Sequence, residues 1–324
     1  MLINSRSLSL YLSCSFETPD TESRTLNSIH ICGLFILTAF FVGFFTFFAG
    51  LRFVFILLFF FVSSSAITNV GEQRKKEILS DFKKGGQRNY IQVLSNGLWA
   101  TILCLIWTVV YHVDYALDDT HLQLGFTQEA GLGAVLLAGV VGHYACCCGD
   151  TWASELGVLS NTDPFFVLNP LRKVPVGTNG GITPMGLLAS VSGGAGVGFI
   201  TALYDLLLFI FGRDITFGQV LTSFFRLVLL GAICGLIGSL IDSVLGATLQ
   251  YSGLDMTGHD RPVVVNEPPK RTAQGSAALT AMKIGGHTHI SGKDVLDNNQ
   301  VNALSSFMTS LFAMAITAAY LGLT

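Results

Sequence analysis

The stretch VLTSFFRLVLLGAICGLIGSLIDSVLGATL, residues 220–249, decides the fold. Only Arg226 and Asp242 carry charge in it. A helix needs about 20 mostly apolar residues to cross a bilayer core, so this segment reads as a membrane span. Gly231, Gly235, Ser239 and Ser243 recur every four residues, a small stripe that lets a second helix approach closely. Asp242 shares a helix face with Gly246 and Gln250 at i, i+4, i+8. A carboxylate buried there is costly without a partner, so the stripe reads as packing and the acid as functional.

Working outward, similar blocks occupy residues 92–112, 130–148, 184–211 and 301–323. Residues 31–65 form a longer apolar block interrupted by Gly50 and Arg52. Two helices with a turn at Gly50-Leu51-Arg52 fit it best, because an arginine at a turn reaches water and one at mid-membrane depth does not. The expectation is an all-α, polytopic transmembrane helix bundle of about seven spans, with the lipid bilayer as solvent. Composition agrees: 51% of the 324 residues are hydrophobic and 12% charged, with mean hydropathy +0.58, against roughly 25% charged in soluble domains. Residues 1–30 read as a mobile N-terminal tail and 31–324 as a single membrane domain.

Loop charge sets the orientation. Residues 69–90 hold Arg74, Lys75, Lys76, Lys83, Lys84 and Arg88, whereas residues 114–129 hold acids and no Lys or Arg. The positive-inside rule puts the first loop in the cytosol. The loops at 149–183 and 251–300 then fall on the same side. Net charge is −3, with no basic tract for nucleic acid. The seven cysteines form no CxxC pair, which argues against a structural zinc site. Cys146-Cys147-Cys148 reads as small packing residues at a membrane boundary, with reversible acylation as the alternative.

Four polar clusters fall at cytosolic helix ends. In GDTWASELG (149–157), Asp150 and Ser154 share a face if helical, with Glu155 in the same turn; ionisable groups at membrane depth are functional candidates, and a plain helix cap is the alternative. In KVPVGTNGG (173–181), Gly177, Thr178, Asn179 and Gly180 can expose backbone amides to phosphate, and Lys173 adds a point charge. A tight turn between spans explains that stretch equally well. The third cluster surrounds Asp242. The fourth holds Asp297, Asn298, Asn299 and Asn302, more groups than an N-cap needs.

Together, Asp150, Glu155, Lys173 and Asp242 are the candidate catalytic residues, with Asp150, Asp242 and Asp297 as hard oxygen ligands for Mg²⁺. Gly177, Thr178, Asn179, Gly180, Asn298, Asn299 and Asn302 are candidates for substrate and phosphate. Mg²⁺ takes one or two carboxylates and completes its shell with phosphate and water, and phosphoryl transfer needs mainly positioning and electrostatics. The same inventory serves a cation site in a transporter. Gly194-Ala195-Gly196-Val197-Gly198 lies within a span and reads as helix packing. His143, also within a span, reads as a satisfied interior histidine. His287-Thr288-His289 reads as part of a Gly-rich loop.

At these residues the chain resembles the transmembrane protein 19 family, also described as DUF92. The matching strings are KGGQRN (84–89), GDTWASE (149–155), KVPVGTNGG (173–181), DSxLGA (242–247) and LDNNxVN (296–302). The resemblance runs from about residue 31 to the C-terminus. The preceding tail departs from the family, whose members carry another hydrophobic helix there, which implies an altered or truncated start. The family includes a plant phytyl-phosphate kinase. The resemblance therefore implies a nucleoside-triphosphate-dependent and Mg²⁺-dependent kinase of an isoprenoid phosphate or lipid, with Asp150 on metal and Lys173 and Thr178 on phosphate. An ion-coupled transporter or a non-catalytic membrane protein is the alternative.

Overall fold

Eight helices and two small sheets make up the described residues of the computed structural model, which are 21–78, 89–114, 131–212, 216–255, 263–268 and 287–323. In chain order they are α1 (Thr21–Ala49), α2 (Leu51–Thr68), α3 (Glu72–Ile78), α4 (Tyr90–Asp114) and α5 (Gly131–Gly157). Strands β1 (Phe165–Phe166), β2 (Asn169–Lys173) and β3 (Gly181–Ile182) follow, then α6 (Pro184–Ile210) and α7 (Phe217–Leu249). Strands β4 (Ser252–Asp255), β5 (Val263–Val265) and β6 (His287–Ser291) precede α8 (Asn298–Leu321).

Helices α2, α4, α5, α6, α7 and α8 are long and apolar enough to cross a membrane, and the apolar Gly33–Ala49 part of α1 is shorter. The seven apolar segments expected from the sequence are these. Helix α1 starts at Thr21, inside the stretch expected as a tail. It ends where Gly50 adopts φ +131°, a conformation few L-residues reach. Phe53 N donates to Gly50 O as α2 begins. The ends of the later helices follow from their caps. Thr183 Oγ1 accepts from Gly186 N with Pro184 opening α6, and Thr216–Gln219 and Asp297–Gln300 form capping boxes on α7 and α8.

Helix α5 is the axis of the bundle, buried from Gly133 to Gly149 and packed by α2, α4, α6, α7 and α8. Its small residues permit this. A Cβ on Gly142 would meet Ala313 and Thr309 O of α8, and one on Gly149 would meet Gly235 and Ser190 O. Helices α6 and α7 approach closest of all: a Cβ on Gly194 would overlap Gly231 O, and one on Gly198 would overlap Leu227 O. The small stripes at 194–198 and 231–243 are packing surfaces, as expected. Outward faces carry exposed Leu58, Phe61, Val62, Leu188, Phe199, Phe225 and Leu229, apolar area on a scale that suits lipid and not water.

Arg52 departs from its expected place. It is buried in α2 and not at a wet turn, its guanidinium paired with Asp205 of α6 at 2.5 Å and lying 5.0 Å from the Tyr204 ring centroid. Ser223 of α7 donates to the other oxygen of Asp205. The partner carboxylate offsets the burial that the sequence alone made expensive. Cys146, Cys147 and Cys148 lie inside α5, at most 7% exposed, as the packing reading expects.

Two corrections concern the polar loops. GDTWASELG is not a loop from Gly149 onward; it completes helix α5 to Gly157. The stretches read as loops at 149–183 and 251–300 contain antiparallel sheets, ordered β2-β1-β3 and β5-β4-β6. Phe165 pairs with Lys173 and Ile182, and Gly253 with Val265 and His289. Arg172 donates to Ile290 O and ties the two sheets together at one end of the bundle. His287-Thr288-His289 forms strand β6, where His289 faces Tyr251.

Candidate functional site

At that same end, α5, α7 and α8 bring two carboxylates together. Asp150, in the last two turns of α5, accepts from Ser239 Oγ at 3.3 Å. Ser239 lies three residues before Asp242 on α7, a spacing that puts both on one face. Asp242 is close enough to Asp150 for the two like charges to act on each other. Asp242 Oδ2 accepts from Ser305 Oγ of α8 at 3.0 Å and, with the carboxamide oriented by its surroundings, from Asn302 Nδ2 at 3.1 Å. Cys146 closes the inner wall, its thiol 3.8 Å from Ser305 Oγ. Both carboxylates are half-buried, and neutral hydroxyls and an amide are their partners. None of the ion pairs found among the described residues includes them.

Two like carboxylates sharing a half-buried site repel unless a proton or a cation lies between them. The hard oxygens of Asp150 and Asp242, with hydroxyls and an amide around them, are the donor types that Mg²⁺ accepts. No group of three or more His, Cys, Asp or Glu forms a cage among the described residues, so phosphate or water must complete any such shell. The donor types of Asp150 and Asp242 fit Mg²⁺.

The other expected members lie elsewhere. Glu155 faces α3, where its carboxylate takes Lys75 Nζ at 2.6 Å. That lysine is buried and also donates to Ile67 O and Thr68 O at the end of α2, so the pair clasps a helix terminus. Lys173 does not join the carboxylates. It ends the exposed edge strand β2, about three-quarters exposed, and pairs with Asp163 at 3.1 Å. Asp297 caps α8, its Oδ1 accepting from Gln300 N, the role that the cap reading gives it. Asn298 contributes its backbone carbonyl to Asn302, and Asn299 is half-buried beside it.

The Gly-rich turn is folded on itself and on its neighbours. Thr178 N and Oγ1 both donate to Pro175 O, Asn179 N donates to Ser252 Oγ, and Gly181 N donates to Thr178 O. Asn179 Nδ2 holds Tyr251 O, and Gly177 O accepts from Asn266. Gly180, at φ +80°, sits where a Cβ would overlap Ala247 of α7. The amides of Thr178, Asn179 and Gly181 are thus committed to protein, and the stretch docks β3 and β4 onto the end of α7. KGGQRN at 84–89 falls, up to Arg88, outside the described residues.

Ser239 and Ser305 belong to the site and were not singled out for it in the sequence. Their signal was helical spacing alone: Ser239 three before Asp242, and Ser305 three after Asn302.

Comparison with known proteins agrees with this architecture. Protein PGR of Arabidopsis thaliana is 39% identical over 292 residues, 90% of this chain and 88% of that protein. An uncharacterized membrane protein of Methanocaldococcus jannaschii is 27% identical over 76% of this chain and 84% of its own length. An uncharacterized membrane protein of Synechocystis sp. is 26% identical over 62% of this chain and 64% of its own length. No solved structure matches the chain. The family model for the integral membrane protein DUF92 matches residues 25–310, and the chain belongs to that family of multi-pass integral membrane proteins.

Proposed function

We propose that this protein is a Mg²⁺-dependent kinase acting on an isoprenoid phosphate of the phytyl-phosphate type, or on a related lipid, with a nucleoside triphosphate as phosphoryl donor. One observation carries the reading: Asp150 and Asp242 meet at helix ends with only neutral donors around them. Bound there, Mg²⁺ would neutralise developing phosphate charge. The chain's own residues position it. Ser239 orients Asp150, while Ser305 and Asn302 hold Asp242. The apolar outer faces of the bundle offer lipid-like surroundings for a prenyl tail. The cytosolic side follows from Arg74, Lys75 and Lys76, at the end of the bundle that carries the site.

The test is phosphorylation of phytyl and geranylgeranyl phosphate by the purified protein in detergent with Mg²⁺ and nucleoside triphosphate. Transfer by the wild-type protein and its loss in Asp150→Asn support the reading. Absence of transfer across a panel of prenyl alcohols and phosphates, alongside ion-coupled uptake in proteoliposomes without nucleotide hydrolysis, would replace it with a transporter.

A further inference from the structure

His143, Cys147 and Asp150 stand at i, i+4 and i+7 on one face of α5, so a line of polar side chains leads inward from the carboxylate pair. His143 is fully buried. Its Nε2 lies 2.9 Å from Asn96 O on α4. A backbone carbonyl only accepts, so Nε2 carries the proton and Nδ1 is a bare acceptor. Neither Nδ1 nor the buried Oδ1 of Asn96 has a protein hydrogen-bond partner. Two buried acceptors at one helix junction call for a donor, because an unpaired buried acceptor costs about 1–3 kcal/mol.

The surroundings connect this point to the carboxylates. Cys147 Sγ lies 3.9 Å from His143 Nε2 and touches the Ser306 hydroxyl of α8. Ser306 Oγ donates to Asn302 O at 2.7 Å, and the Asn302 side chain reaches Asp242. Helices α4, α5 and α8 pack on one another around this line. The distance from His143 to Asp150 along the helix is about 10 Å.

We propose that the junction of α4, α5 and α8 is a buried water-binding site, built on His143 Nδ1 and Asn96 Oδ1. Through Cys147 and Ser306 it extends the polar site from the carboxylate pair about two helical turns into the membrane. A buried water makes two to four hydrogen bonds to groups that would otherwise be unpaired, and here it supplies the donors that both acceptors need. The line also excludes an apolar tail from this face of α5, so a prenyl chain bound at the pair must leave by another side.

Radiolytic hydroxyl-radical footprinting of the purified, substrate-free protein tests this, because radicals generated from bound water oxidise the side chains beside it. Cys147 and Cys234 share a side chain and both lie in the apolar core, at 7% and 0% exposure, but Cys147 Sγ is 3.9 Å from His143 Nε2, whereas Cys234 lies on α7, away from the α4–α5–α8 junction. The expected result is oxidation of Cys147 at least about threefold faster than Cys234, together with oxidation of His143. A ratio below about threefold, or an unoxidised His143, overturns the proposal. In Asn96→Leu/His143→Leu the excess at Cys147 is expected to vanish; an unchanged ratio in a folded double variant also overturns it.

Discussion

Asp150 of α5 and Asp242 of α7 share one half-buried site through Ser239, whose hydroxyl bonds the first and which stands one helical turn before the second. Two acids 92 positions apart in the sequence are thus held together at one end of the bundle. Asn302 and Ser305 of α8 complete the enclosure from the third side.

Removing either charge is therefore expected to eliminate function without eliminating the fold. Asp150→Asn and Asp242→Asn should each lower phosphoryl transfer by at least about 100-fold. Relief of like-charge repulsion should leave the melting temperature in metal-free detergent unchanged or higher. Size-exclusion profiles and thermal melts beside turnover check this; a variant with full turnover refutes the site.

Lys173→Ala is expected to behave differently. Its ammonium is solvent-exposed and, among the described residues, pairs with Asp163 alone, an arrangement worth about 0–1 kcal/mol. Turnover should stay within about threefold of wild type. A 100-fold loss would mean that Lys173 reaches substrate after all, as the sequence motif implies.

Arg52 and Asp205 make a sharper stability prediction. Arg52→Met leaves the Asp205 carboxylate buried without its cation and should cost about 3–5 kcal/mol. Arg52→Met with Asp205→Leu should recover most of that loss, since replacing both charges removes the desolvation as well as the attraction. Thermal melts of the three variants in one detergent decide it.

Gly198→Val tests the closest helix contact. Any Cβ there overlaps the Leu227 carbonyl, so α6 and α7 must separate. The expected outcome is a destabilisation above about 3 kcal/mol, read as loss of monodisperse protein. Gly43→Ala, with nothing near its Cβ, should be silent in the same measurement.

Much of the bundle was legible because membrane spans announce themselves by length and apolarity, and the break at Gly50 by residue type. The Gly194–Gly198 and Gly231–Gly235 stripes also read correctly, since spacing alone brings small residues to one face. Charged residues read less well. Whether Arg52 lies in water or beside Asp205 depends on a contact 153 positions away. Lys75 looked like one of six loop cations, yet it is buried against Glu155. The site was half legible for the same reason. Residue type marked Asp150, Asp242 and Asn302, but convergence is a property of helix packing. It excluded Lys173, Glu155 and Asp297, each of which found a nearer partner.

Mn²⁺, which accepts the same carboxylate and water ligands as Mg²⁺, reports occupancy of the Asp150–Asp242 site directly by electron paramagnetic resonance on the purified protein. The expected result is about one tightly bound ion per chain, displaced by Mg²⁺ and lost in both Asp150→Asn and Asp242→Asn. Equal Mn²⁺ binding by wild type and by both variants would contradict it.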